Sequence, residues 1–272
     1  MPRPWALALG RLLGRGLYLF FPYRKDVARD NLRLAFPEFT NQQRRTILYR
    51  TYQHFGMVLI DFLRIPTLSL QNLEALIQMD DTQLREVHER GGGALIMSGH
   101  LGNWELMARK LVSRRYPLTA VMVPQRGAGG AFVQAIRDRI GCEYIPKKTS
   151  TRQMLRLLKE GRFLGLVGDQ DARKSGVWVS LFGRPSSRPR GSAVFALQTG
   201  APIIVGWCLL QKDRRYHLQF KSISTENLPA YRDQAIQTLT QRYTSALETA
   251  IRQHPEQYFW FHRMWKTRPV NT

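Results

Sequence analysis

The residues best suited to chemistry follow a short apolar run, Ala94–Met97, in the order Ser98-Gly99-His100-Leu101-Gly102-Asn103-Trp104-Glu105. A run of that kind reads as a strand, and open α/β sheets hold their ligands beyond the carboxyl ends of strands. An imidazole there is suited to moving a proton near neutral pH. Within a single helix, residues five apart point about 140° away from each other, so His100 and Glu105 could not meet. With His100 in a loop and Glu105 in the first turn of the next helix, the carboxylate can reach one ring nitrogen. The other nitrogen is then free as a general base. Gly99 and Gly102 allow a tight turn and the close approach of a ligand, and Asn103 is placed to cap the helix. No G-x-S-x-G motif is present, and Ser98 precedes the turn. Cys142 and Cys208 fall at strand positions with no adjacent His, where a thiol is ordinarily a small buried hydrophobe. The reaction that remains is activation of a substrate hydroxyl by His100 for direct attack on a bound electrophile, with no covalent enzyme intermediate.

A second constellation closes the run Phe163–Val167: Gly168-Asp169-Gln170-Asp171-Ala172-Arg173. Two carboxylates spaced D-x-D after a strand suit either a divalent metal on a nucleotide diphosphate, as in glycosyltransferases, or the positioning of nearby arginines. Beyond it, Leu181 to Gly191 reads as a rigid, basic loop leading into a helix. Arg188 and Arg190 at that helix start would bind an anion. The aromatic-rich stretch from His254 to Lys266 reads as core packing with an amphipathic rim.

These residues need a scaffold. The chain has 272 residues, 43% of them hydrophobic, enough to bury a core and too many for a disordered chain. Its 41 Lys and Arg against 20 Asp and Glu give a net charge of +21, which speaks of anionic partners rather than of fold. A nucleic-acid-binding module is the simplest alternative, but no recognition motif accompanies the charge. Two lone cysteines exclude a disulfide scaffold or a zinc ribbon and fit a reducing compartment.

Residues 1–22 form the first unit. Arg11 and Arg15 interrupt an apolar stretch, and each would cost about 2.5–3.5 kcal/mol at a bilayer centre. An in-plane amphipathic anchor, or a hairpin into one leaflet, is therefore expected instead of a span, and no secretory cleavage site follows it. Residues 23–272 form the second. Helical periodicity runs from Arg24 to Met79, with a capping-box spacing at Thr40 and a stop at Pro66. After Gly91–Gly93, short apolar runs at 94–97, 118–123, 163–167 and 203–210 alternate with helical windows near 103–115, 128–140, 150–160 and 190–199. Further strands are expected at 178–182 and 216–220, and a last helix at 232–253. That alternation predicts one α/β domain, a central mixed and largely parallel sheet flanked by helices, preceded by membrane-facing N-terminal helices.

Taken together the blocks resemble the bacterial lipid A biosynthesis acyltransferase family. The resemblance rests on Asp30-Asn31-Leu32-Arg33-Leu34-Ala35-Phe36-Pro37, the H-x4-E block from His100 to Glu105, and Asp169-Gln170-Asp171. It also rests on Phe182-Gly183 with Pro189-Arg190-Gly191, on Thr199-Gly200-Ala201-Pro202, and on His254 to Tyr258 through His262-Arg263 to Pro269. It implies transfer of a fatty acyl group from an acyl carrier protein thioester, or from coenzyme A, to a hydroxyl of a phosphorylated glycolipid such as a lipid A precursor. The setting it implies is the cytoplasmic face of the inner membrane. His100 would be the base and Glu105 its orienting partner. Asp169 and Asp171 would belong to the site region, Trp104 and Asn103 would border the substrate, and Arg126, Arg188 and Arg190 would hold phosphates. Where the family often has Tyr-Arg-Pro, this chain has Met122-Val123-Pro124, with Arg126 the cation two residues on. Backbone N–H groups at Gly102 and Asn103, or a nearby Arg, would stabilise the oxyanion. A thioester is already activated, so this chemistry calls for no metal, nucleotide or redox cofactor, and no nucleic acid. The alternatives are acylation of another lipid or glycolipid from coenzyme A and, further off, metal-dependent glycosyl transfer.

Overall fold

In a computed structural model the fold is described for residues 1–124 and 127–269. Three helices come first: α1 (Arg3–Phe20), α2 (Lys25–Ala35) and α3 (Asn41–Arg64). Thr40 opens α3 with a complete capping box: its hydroxyl accepts from the Gln43 N–H while the Gln43 side chain accepts from the Thr40 N–H. Small residues let α1 and α3 touch backbone to backbone. A Cβ on Gly14 would lie 2.2 Å from the Tyr52 carbonyl oxygen, and one on Gly56 would lie 2.1 Å from that of Gly10. Ala6, Leu7, Gly10 and Gly14 turn inward and Tyr18 packs on Tyr49 and Tyr52, while Trp5, Leu9, Leu12, Leu13 and Phe20 of α1 face out; Trp5 and Phe20 are 70% and 74% exposed. Among the described residues no helix is long and apolar enough to cross a membrane.

The α/β part follows as α4 (Leu70–Leu76), β1 (Ile77–Met79), α5 (Thr82–Glu89), β2 (Ala94–Ser98), α6 (Trp104–Ser113), β3 (Leu118–Met122) and α7 (Gly127–Asp138). It continues as β4 (Glu143–Pro146), α8 (Thr151–Lys159), β5 (Phe163–Val167), β6 (Val177–Leu181), β7 (Arg184–Arg188), α9 (Gly191–Thr199), β8 (Ile203–Leu210), β9 (Tyr216–Ile223) and α10 (Arg232–Gln253). Seven strands join in the order β1-β9-β8-β2-β5-β3-β4. Only the β8–β9 pairing is antiparallel; the other five ladders are parallel. The expected mixed, largely parallel sheet is present. Its strands are apolar runs because both faces are covered: Leu95 and Met97 pack toward α8, α9 and α10, while Ala94 and Ile96 pack toward α6 and α7.

Two expectations need correction. The region Leu181–Gly191 is not a loop: β6 and β7 form an antiparallel hairpin outside the main sheet. The last three residues of β7, Ser186, Ser187 and Arg188, are all buried, which draws Arg188 into the molecule instead of onto a basic surface. The region 24–79 is not wholly helical either, since its last residues add β1 to the sheet edge beside β9.

Candidate active site

The strands β2 and β5 lie side by side in parallel register, Ser98 opposite Val167. Their carboxyl ends therefore deliver His100 and Asp169 to one place. The His100 Nδ1 is 2.8 Å from one Asp169 carboxylate oxygen, and the His100 backbone N–H donates to the other at 2.7 Å. Asp169 is 3% exposed. Burial alone would favour its protonated form, but the charge and hydrogen bonds of His100 and the nearby Arg188 outweigh it. They hold the carboxyl well below the ordinary carboxylate range. An ionised carboxylate only accepts, so Nδ1 carries a proton, and in the neutral form of the ring Nε2 presents the lone pair.

Glu105 does not make the contact expected of it. Its carboxylate accepts from Arg137 on α7 through both Nε and Nη2, at 3.0 and 2.6 Å. The reason is the start of α6: Glu105 is buried in the first helical turn, on the face that meets α7. Asp169, more than sixty residues further on, orients the imidazole in its place. Glu105 ties α6 to α7.

The turn that carries His100 is fastened on every side. Gly102 has φ +66°, and a Cβ there would sit 2.0 Å from the Cys208 carbonyl oxygen, so conformation and contact both require glycine. At Gly99 a Cβ would meet Leu247 at 2.7 Å and the Asp169 carboxylate at 3.2 Å. The close approach these glycines permit is made by the protein's own groups. Asn103 caps α6, accepting from the Leu106 N–H at 3.0 Å, and is fully buried. The N–H groups of Gly102 and Asn103 donate to Gln257 at 2.9 Å and Cys208 at 2.8 Å. Those two amides are therefore committed and do not form the expected oxyanion site.

The other expected residues divide. Trp104 stands edge-on to His100, ring centres 4.8 Å apart. Arg188 is buried, and its guanidinium donates to the Asp169 backbone carbonyl. It supports the carboxylate from behind instead of binding a phosphate at the surface. Arg190 is exposed and paired with Asp233 at 2.8 Å. Asp171 accepts from the backbone and hydroxyl of Thr267 and from the Arg173 N–H, so it pins the C-terminal segment. The two carboxylates of the D-x-D stretch thus serve different partners. Arg126 lies outside the described residues. The thiols of Cys142 and Cys208 are buried, and desolvation pushes Cys142 up to about 12 and Cys208 higher still, so neither is a nucleophile at neutral pH.

One participant was hidden in the aromatic stretch. His262 lies against His100, ring centres 4.7 Å apart, with Phe259 packed on both. Asn31 holds this segment by donating to the carbonyls of Trp260 and His262, and Arg24 donates to that of Phe261. In the sequence it is marked as a lone imidazole after the aromatic run Phe259-Trp260-Phe261 and by the His262-Arg263 block of the family resemblance, neither of which gives it a role.

Burial also sets the response of the fold to acid. Desolvation lowers His54, packed against the Gly102 backbone, from an ordinary 6.5 to about 4. His262 falls to about 4 as well, through burial first and the charge of His100 second. Between about pH 6.5 and 4 the unfolded chain therefore binds protons that the folded protein refuses, so stability falls with acidification through that window. For His54 alone this amounts to about 3 kcal/mol. The expected result is a melting temperature that drops from pH 7 toward pH 4. A flat profile over that range would contradict the burial of neutral imidazoles.

A buried carboxylate and the imidazole that it contacts thus stand together at the carboxyl ends of β2 and β5. Residues 1–267 match the bacterial lipid A biosynthesis acyltransferase family, and the chain belongs to it. It is an acyltransferase of the late lipid A type. It is 24% identical over 99% of its length to the lipid A biosynthesis palmitoleoyltransferase of Escherichia coli K12 and 26% identical, again over 99%, to that organism's lipid A biosynthesis lauroyltransferase; 88% of each relative is covered. It is also 29% identical, over 55% of this chain and 51% of the relative, to the phosphatidylinositol mannoside acyltransferase of Mycolicibacterium smegmatis.

Proposed function

We propose that the protein transfers a fatty acyl chain from an acyl carrier protein thioester to a hydroxyl of a phosphorylated lipid A precursor at the cytoplasmic face of the inner membrane. The observation that carries the mechanism is the 2.8 Å contact of His100 Nδ1 with a buried, ionised Asp169. His100 Nε2 takes the proton of the acceptor hydroxyl as that oxygen bonds to the thioester carbonyl carbon. The tetrahedral intermediate collapses, the C–S bond breaks, and the imidazolium returns the proton to the departing sulfur. Ester and free thiol balance the reaction without a protein-bound intermediate.

Membrane docking through residues 1–22 is supported by the surface of α1 and α3. Leu9, Leu12, Leu13 and Phe20 of α1 and Leu59 and Leu63 of α3 are exposed. Leu63, Leu59 and Phe55 follow at helical spacing, and Phe55 packs on Trp104 and Phe259 beside His100. The apolar face of α3 thus runs from the surface to the rings packed about the imidazole, Trp104 among them, which is where the acyl chain would lie. The net charge of +21 suits an acidic carrier and an anionic leaflet, where each nearby basic side chain contributes about 1 kcal/mol.

The likeness to a phosphatidylinositol mannoside acyltransferase keeps a second acceptor class, other glycolipids, in view. The test is an assay of the full-length protein with vesicles containing a lipid A precursor, offered acyl carrier protein and coenzyme A thioesters in turn. Mass spectrometry should find one added acyl group on the lipid, faster from the carrier protein. Acylation of a mannosylated lipid alone, or preference for coenzyme A, would replace the acceptor or the donor proposed here.

A further inference from the structure

We propose that His262 is a second catalytic residue, a neutral imidazole whose Nδ1–H stabilises the oxygen that becomes negative when the acceptor adds to the thioester carbonyl. The proposal rests on the acyl-transfer reading above and assigns its oxyanion donor.

That reaction needs a donor within about 3 Å of the developing charge. The amides of the turn that were expected to supply it, those of Gly102 and Asn103, already donate to Gln257 and Cys208, and that of His100 donates to Asp169. Arg188 is buried behind Asp169, on the Nδ1 side of the base. His262 lies against the same ring, 4.7 Å between centres, and is only partly buried. A carbonyl attacked next to His100 Nε2 would bring its oxygen within reach of the adjoining ring.

The protonation of His262 fits the task. Its Nε2 lies 3.2 Å from the side-chain nitrogen of Gln170. An amide NH₂ only donates, so Nε2 is the accepting nitrogen and the proton of the neutral ring is on Nδ1. Among the described residues no group hydrogen-bonds Nδ1, which is not a buried atom. Desolvation and the neighbouring His100 keep the ring uncharged at neutral pH. A charged ring would resist protonation of His100 as base; a neutral one donates a hydrogen bond without doing so. Asn31 fixes the backbone at Trp260 and His262, so the donor is held in advance of the reaction.

The experiment compares His262→Ala and His262→Gln with the wild type, using acyl carrier protein thioester and vesicles carrying a lipid A precursor. The expected result for His262→Ala is a fall in kcat of about 10²–10³-fold, with KM for thioester and lipid little changed. His262→Gln, which keeps an N–H, should recover a good part of that loss. A rise in KM for the lipid with kcat retained would overturn the proposal and make His262 an acceptor-binding residue. Equal losses in both variants, accompanied by a lower melting temperature, would also overturn it and leave a packing role. Absence of acyl transfer by the wild type itself would instead refute the underlying reading of function.

Discussion

Asp169→Asn is expected to lower kcat for acyl transfer by on the order of 10³-fold while KM and the fold are little affected. The carboxylate accepts from both the ring and the backbone of His100. An amide in its place offers one oxygen and one NH₂. If the oxygen keeps the backbone N–H, the NH₂ faces Nδ1 and forces the proton onto Nε2, the nitrogen that must be bare. The imidazolium also loses the negative charge that stabilises it. Steady-state kinetics on a variant with an unchanged melting temperature would measure the effect, and a loss under tenfold would show that Asp169 does not orient the base. Glu105→Gln supplies the contrast. It weakens the clamp that Glu105 makes by accepting two hydrogen bonds from Arg137, away from the imidazole. It should therefore leave the acid limb of the pH–rate profile in place, whereas Asp169→Asn should move it.

The sheet was legible in the sequence because its strands are short and apolar on both faces and alternate with helices. The runs at 94–97, 163–167 and 203–210 emerge as β2, β5 and β8 almost residue for residue. β1 and the extent of β4, beside the strand position read at Cys142, were not legible for a physical reason: they are edge strands of three and four residues, too short to show a period. The hairpin β6–β7 was read in part as a loop because Arg184-Pro185-Ser186-Ser187-Arg188 has the composition of one. Tertiary burial of the two serines and Arg188 overrides that composition.

The site divides in the same way. His100 announced itself by its position, two residues past a strand and between two glycines. Asn103 did so by preceding a helix. Which carboxylate reaches the imidazole was not legible, since Glu105 is near in sequence and Asp169 is near only after β2 and β5 pair in register. Spacing reports local partners; it carries nothing about a neighbour brought by a parallel ladder. His262 was concealed still further, in a segment whose aromatic content reads as core and whose place is fixed by Asn31 from the far end of the chain.

His100→Ala bears on the mechanism most directly. Removing the imidazole in contact with Asp169 should reduce ester formation by on the order of 10⁴-fold, the upper range for a positioned base. A single-turnover assay with the full-length protein, acyl thioester and lipid acceptor, checked by mass spectrometry for the added acyl group, reads that step without interference from product release. The variant should bind both substrates, keep the wild-type melting temperature and form almost no ester. Ester formation at near wild-type rate by a folded His100→Ala protein would contradict general-base catalysis by this imidazole.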